Sequence, residues 1–224
     1  TAQYLPSVEK LGVEHGVSVK IFQCSSCGLV QLDNEPVPYY KEVIRATSFS
    51  KEMSSFRTKQ FGAFIDKYKL NKKKIIEIGC GEGHYLSLLS NFDVYSFGIE
   101  FSQTSVQKCR SKGLSVEKIF LSDSKKNLNG SPFDAFFIMS FLEHLPNINE
   151  TLRGIYNNLT LDGIGLVEVP NFDMILTKNL FAEFIVDHLY YFTENTLKLV
   201  LNYNGFDVLE CKPVWNNYIL SAVV

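Results

Sequence analysis

The chain has 224 residues, 46% of them hydrophobic and 21% charged, which suits one well-buried domain with an appendage. A net charge of −2 and a pI near 6.1 tell against the basic field that dominates nucleic-acid affinity. No apolar run approaches the roughly 20 residues of a membrane span, and the odd number of cysteines, five, argues against a disulfide framework.

The expected partner is therefore a small-molecule acceptor, with no nucleic acid and no membrane. The lysine runs at 72–74 and 125–126 read as solvated surface. No charged-then-apolar leader opens the sequence, so a cytoplasmic location is expected. The first residue is Thr1 and not Met, which fits a trimmed chain.

Residues 17–22 alternate like a strand and run into Cys24-Ser25-Ser26-Cys27-Gly28. A C-x-x-C followed by Gly at a hairpin tip has the spacing of half a structural zinc site. Only His15 lies near enough in sequence to add a ligand, so zinc on Cys24 and Cys27 and a pair of unmetallated thiols stand as equal alternatives. Pro36 and Pro38 mark a linker, giving a β-rich piece over 1–38 and a main domain over 39–224. From Ser48 onward Phe49, Met53, Phe56, Phe61, Phe64, Ile65 and Tyr68 recur at helical steps, an amphipathic helix whose aromatic stripe is core.

Next comes Lys74-Ile75-Ile76-Glu77-Ile78-Gly79-Cys80-Gly81-Glu82-Gly83. An apolar run bounded by glycine predicts a buried parallel strand, and glycines let the backbone turn sharply and approach a ligand. A second run over 94–99 ends in Glu100, 21 positions after Gly79. An acidic residue at that interval is placed to accept hydrogen bonds from both hydroxyls of a ribose. A dinucleotide fingerprint needs a small residue at 84, where His84 stands; that tells against a nicotinamide-dependent oxidoreductase.

Ser102 is placed to cap a helix that Gly113 stops, and a third strand is expected over 115–121. The fourth, over 133–140, reads into Phe141-Leu142-Glu143-His144-Leu145-Pro146. A helix over 148–159, a strand over 165–170 and an apolar excursion over 171–191 follow. Thr193 caps a further helix, and strands over 206–210 and 218–224 close the chain. Strands alternating with helices predict a mostly parallel sheet. Two histidines fall where an acceptor would sit: His144 after the fourth strand and His188 in Asp187-His188. An imidazole titrates near neutrality, and an adjoining carboxylate helps to orient it.

The spacing Glu77-x-Gly79-x-Gly81-x-Gly83 resembles motif I of class I methyltransferases that use S-adenosylmethionine (SAM), and the segment around His144 resembles their motif IV. The resemblance implies a doubly wound, seven-stranded, mostly parallel Rossmann-like sheet closed by a reversed hairpin. It implies SAM as cofactor, held by Glu77, Gly79, Cys80, Gly81 and Gly83 in the loop and by Glu100, Phe101, Phe120 and Ser140 around it. With Cys24, Cys27, Tyr39, His144 and Asp187-His188, most of the chain is similar to the sugar C-methyltransferases of nucleotide-linked keto-sugars. That narrower likeness implies a zinc-ribbon-like N-terminal remnant, a sugar or its substituent as acceptor, and Tyr39, His144, Asp187 and His188 around the reacting carbon or oxygen. Three departures are the missing first cysteine pair, Ile185 where an aromatic is expected, and no second α/β domain after the last strand. A non-catalytic SAM-fold binding subunit and, more weakly, an RNA methyltransferase are the other readings.

Overall fold

A computed structural model describes residues 7–13, 16–41 and 50–224. Seven strands form the main sheet: β3 (Lys74–Ile78), β4 (Tyr95–Glu100), β5 (Val116–Lys118), β6 (Phe133–Met139), β7 (Leu159–Pro170), β9 (Glu210–Val214) and β10 (Ile219–Val223). Their order is β5-β4-β3-β6-β7-β10-β9, parallel from β5 through β7, with β10 antiparallel to both neighbours. The chain winds outward from β3 in one direction, returns to β6 and winds out in the other. The carboxyl ends of β3, β4 and β6 therefore meet at one edge, where open α/β sheets bind ligands.

Both faces of the sheet are covered, which is why its strands are apolar at successive positions. Ile75, Ala135, Phe137 and Leu166 pack with Phe61, Phe64 and Ile65 of α1 (Lys51–Lys67), Leu86 and Leu89 of α2 (His84–Leu89) and Val106 of α3 (Gln103–Ser111). Ile76, Phe136, Ile138 and Val167 pack with Leu152 and Ile155 of α4 (Ile148–Tyr156) and Leu197 and Leu201 of α6 (Glu194–Tyr203). Each such side chain contributes about 1.5–3 kcal/mol by leaving water. Among the described residues no helix is long and apolar enough to cross a membrane.

The excursion after β7 holds the short helix α5 (Phe172–Thr177) and the two-residue strand β8 (Tyr190–Tyr191). β8 pairs with β2 (Val30–Leu32), and β2 with β1 (Ile21–Gln23), in a small antiparallel sheet. Val30, Leu32, Phe172, Ile175 and Tyr191 form its core. The N-terminal strands are thus stitched to the excursion, and this places Tyr39 near Asp187.

Several elements differ from the sequence reading: α4 stops at Tyr156 and β7 begins at Leu159 rather than 165, and the strand expected over 17–22 is Ile21–Gln23. The third strand is shorter than 115–121, because only Val116–Lys118 pairs with β4. The expected strand over 206–210 lies at Glu210–Val214. Phe206 is instead drawn into the core, its ring centroid 5.3 Å from that of Phe136, and Pro213 is tolerated because β9 is an edge strand. Ser102 does stand before α3, but its side chain makes no capping bond.

Arg57 and Glu168 form a buried ion pair that docks α1 onto β7, with Gln60 also bonded to the carboxylate. The guanidinium lies 5.2 Å from the Phe56 ring and 5.3 Å from that of Tyr85. Arg57→Met is expected to cost about 3 kcal/mol by stranding a buried charge, read as a lower urea midpoint. Adding Glu168→Leu is expected to recover most of it.

Candidate active site

The loop after β3 is held by backbone hydrogen bonds, to β4 and within itself. Gly79 and Cys80 both donate to the Ile99 carbonyl at 3.0 Å, and Gly83 donates to that of Cys80 at 3.0 Å. Gly79, Gly81 and Gly83 all have positive φ, at 69°, 54° and 76°. A Cβ at Gly79 would fall 2.6 Å from the Phe141 ring, so strain and close approach together select glycine.

Glu100, at the end of β4, is 1% exposed. Its carboxylate accepts from Gly81 N at 2.9 Å and from Ser102 N at 2.7 Å. One side chain therefore ties the glycine loop, β4 and the start of α3 together. A carboxylate accepts at up to about four sites, which suits it to hold ligand hydroxyls at the same time. Glu77 is completely buried at the end of β3.

The Cys80 side chain is turned away from the cleft, which leaves only its backbone to face a cofactor. Its side chain is buried behind the loop, where a Cβ on Gly98 would meet its sulfur at 2.8 Å. Hydrogen bonding with Cys109, then burial, push its thiol far above the usual range. Cys80 builds the turn and faces the core.

Phe101 and Phe120 stand at the mouth beside Glu100, their centroids 6.4 Å apart and nearly perpendicular. Gly79, Glu100, Phe101, Phe120, Phe141 and Lys41 line a narrow cleft there. The Lys41 ammonium lies 5.3 Å from the Phe101 centroid and 5.7 Å from that of Phe120. Nothing in the sequence signals Lys41, because its position depends on the path of the N-terminal piece.

The residues expected on the acceptor side gather at the end of β6. Ser140 turns the chain with φ of 51° while its N–H donates to the Glu168 carbonyl at 2.9 Å. A helical turn, Leu142–His144, then aims Glu143 and His144 at the excursion. His144 Nδ1 is 2.7 Å from the backbone oxygen of Asp187, so this nitrogen carries the proton. Tyr39 Oη donates to Asp187 Oδ1 at 2.6 Å, and the His144 and His188 rings lie 4.8 Å apart. Asp187 therefore positions His144 through its main chain and Tyr39 through its carboxylate.

Glu143 is the residue that sequence reasoning missed. It is 1% exposed, and its Oε1 stands 3.9 Å from His144 Nε2. Burial pushes its carboxyl up to about 8. Burial also lowers His144, and burial followed by the neighbouring His144 lowers His188 to about 3. Both imidazoles are thus neutral near pH 7. The one available signal was the adjacency of Glu143 and His144 in the quoted motif.

Cys24 and Cys27 flank the turn between β1 and β2, closed by a Gly28 N–H to Cys24 carbonyl bond of 2.8 Å. The backbone N–H groups of Cys27 and Ser26 lower the Cys24 thiol. Among the described residues no third His, Cys, Asp or Glu gathers with them, and His15 lies outside the described residues.

The methyltransferase-domain family matches residues 50–211, and the chain belongs to it. A SAM-dependent methyltransferase from Clostridium acetobutylicum is similar in fold at a TM-score of 0.62 and 14% identity, covering 82% of this chain and 94% of that one. One from Archaeoglobus fulgidus gives 0.52 and 21%, covering 74% and 93%. The plantazolicin methyltransferase, solved in complex with SAH, gives 0.61 and 15%, covering 78% and 85%. No curated protein matches the chain. The protein is a methyltransferase with the SAM-dependent fold, which sets aside the oxidoreductase and binding-subunit readings.

The glycine loop supplies a direct check. Gly113 also has positive φ, at 77°, but a Cβ there meets nothing within 4 Å. Gly113→Ala is expected to cost about 1–2 kcal/mol of backbone strain. Gly79→Ala adds the clash with Phe141, so its loss by urea unfolding is expected to be at least twice as large.

Proposed function

We propose that the cleft beside Glu100 holds SAM and that the Tyr39, His144, Asp187 and His188 cluster receives a small polar acceptor, a sugar or a sugar-attached group on a nucleotide-linked or polysaccharide-precursor carrier. SAM, when bound, supplies a methyl group on a sulfonium that is already an excellent leaving group. The chain's own task is then alignment and removal of the acceptor's proton.

The observation that carries this reading is the meeting of two sets of residues on one edge of the sheet. The Glu100 carboxylate accepts ribose hydroxyls, the glycine loop admits the methionine portion, and Phe101 and Phe120 flank the adenine. The fit rests on the buried, loop-clamped carboxylate and the positive φ of the glycines. Opposite, His188 accepts the proton of the reacting carbon or oxygen as a neutral imidazole, while Tyr39 and His144, both held by Asp187, orient the acceptor. The small net negative charge favours such an acceptor over a nucleic acid. Cys24 and Cys27 offer two of the four donors that a structural zinc takes.

The decisive assay is incubation with labelled SAM and a set of nucleotide sugars and phosphorylated intermediates, with mass identification of the species that gains a methyl group. Methylation of nucleic acid alone, with none on any sugar, would overturn the acceptor reading. Glu100→Ala is expected to weaken SAM binding at least about tenfold by calorimetry, since a charge-assisted hydrogen bond contributes about 1.5–3 kcal/mol. His188→Ala is expected to leave SAM affinity unchanged and lower kcat by about 10²-fold or more.

A further inference from the structure

Glu143 is not accounted for by that reading. Its side chain is buried, and among the described residues neither carboxylate oxygen has a hydrogen-bond partner. A buried carboxylate is costly in that condition unless a proton or a cation joins it. The ligating atoms of Glu143, His144 and His188 all lie within 4.8 Å of one another. His144 donates from Nδ1 to the Asp187 carbonyl at 2.7 Å, which leaves the lone pair on Nε2, the nitrogen 3.9 Å from Glu143 Oε1. An imidazole anchored through one nitrogen to a carbonyl, with the other turned inward, is how metal-ligating histidines are held.

We propose that Glu143, His144 and His188 bind one divalent transition-metal cation of the zinc or cobalt kind, with a coordination position left open for an oxygen of the methyl acceptor. Two imidazoles and one carboxylate suit such ions, and three protein ligands with one open position is the pattern of catalytic sites. Bonds of about 2.1 Å at tetrahedral angles set donors about 3.4 Å apart, so the widest pair here closes by roughly 1.4 Å. One carboxylate and two neutral imidazoles leave the site with a net charge of +1, which favours an oxygen anion as the fourth ligand. An oxygen bound there becomes a stronger acid than in water. With the cation bound, His188 is a ligand in place of the proton acceptor proposed above, and the proton that the bound oxygen loses leaves to solvent. The inference rests on the acceptor-side reading only for what the open position receives.

The test is titration of Co²⁺ into the chelator-treated full chain carrying Cys24→Ser and Cys27→Ser, so that thiolates cannot contribute. One saturable equivalent with a visible d–d band is expected. Glu143→Gln and His188→Ala, each in that background, are expected to weaken binding at least tenfold while SAM affinity stays within twofold. His188→Ala serves should Glu143→Gln lose SAM binding. No saturable band, or an unchanged affinity in both variants, would overturn the cation site. Loss of SAM binding in the parent chain would instead refute the cofactor reading. Cobalt binding without methylation of any sugar would refute the acceptor class alone.

Discussion

The Glu100 carboxylate, accepting from the backbone N–H groups of Gly81 and Ser102, is the interaction on which the site depends. Charge-assisted hydrogen bonds of this kind are short and strong when water is excluded, and Glu100 is 1% exposed. The two N–H groups belong to different segments, so one side chain fixes the glycine loop after β3 relative to the start of α3. The same carboxylate faces the cleft between Phe101 and Phe120. Its position follows from the parallel pairing of β3 with β4, which brings Ile99 level with Ile78 and lets the Ile99 carbonyl receive the N–H groups of Gly79 and Cys80.

The acceptor side is built differently. β6 ends in Ser140, whose left-handed backbone turns the chain into the helical turn bearing Glu143 and His144. Its partners come from the excursion after β7 and from the N-terminal piece, joined through the small β1-β2-β8 sheet. Asp187 links all three segments, bonding Tyr39 through its carboxylate and His144 through its carbonyl. In the proposed reading a rigid parallel sheet supplies the donor half, and segments added at its edge supply the half that selects the acceptor. The family match, over residues 50–211, begins after Tyr39, Tyr40 and Lys41, which reach the site from the N-terminal piece.

What was legible in the sequence was what local chemistry determines. Glycines at 79, 81 and 83 announce positive φ, an apolar run announces a covered strand, and the Gly79 to Glu100 interval spans one β-α-β unit. The two histidines were legible as types, His144 after the fourth strand and His188 in the excursion after the fifth. Glu143 was not legible, because its isolation depends on Asp187 and His188 folding over it from more than 40 positions away. Lys41 and the Tyr39 bond to Asp187, 148 positions apart, depend on a path that no periodicity encodes. The first strand of the last hairpin was misplaced by four residues because an apolar run does not distinguish a paired strand from Phe206 buried against Phe136.

The central claim is that one carboxylate organises the donor half of the site and also receives the donor's ribose. The most direct measurement is a crystal structure of the full chain grown with S-adenosylhomocysteine, the demethylated product. The account predicts both ribose hydroxyls within hydrogen-bond range of the Glu100 carboxylate, the adenine beside Phe101 and Phe120, and the sulfur turned toward His144 and His188. A ligand bound elsewhere, or a ribose held by other groups with Glu100 uninvolved, would contradict it.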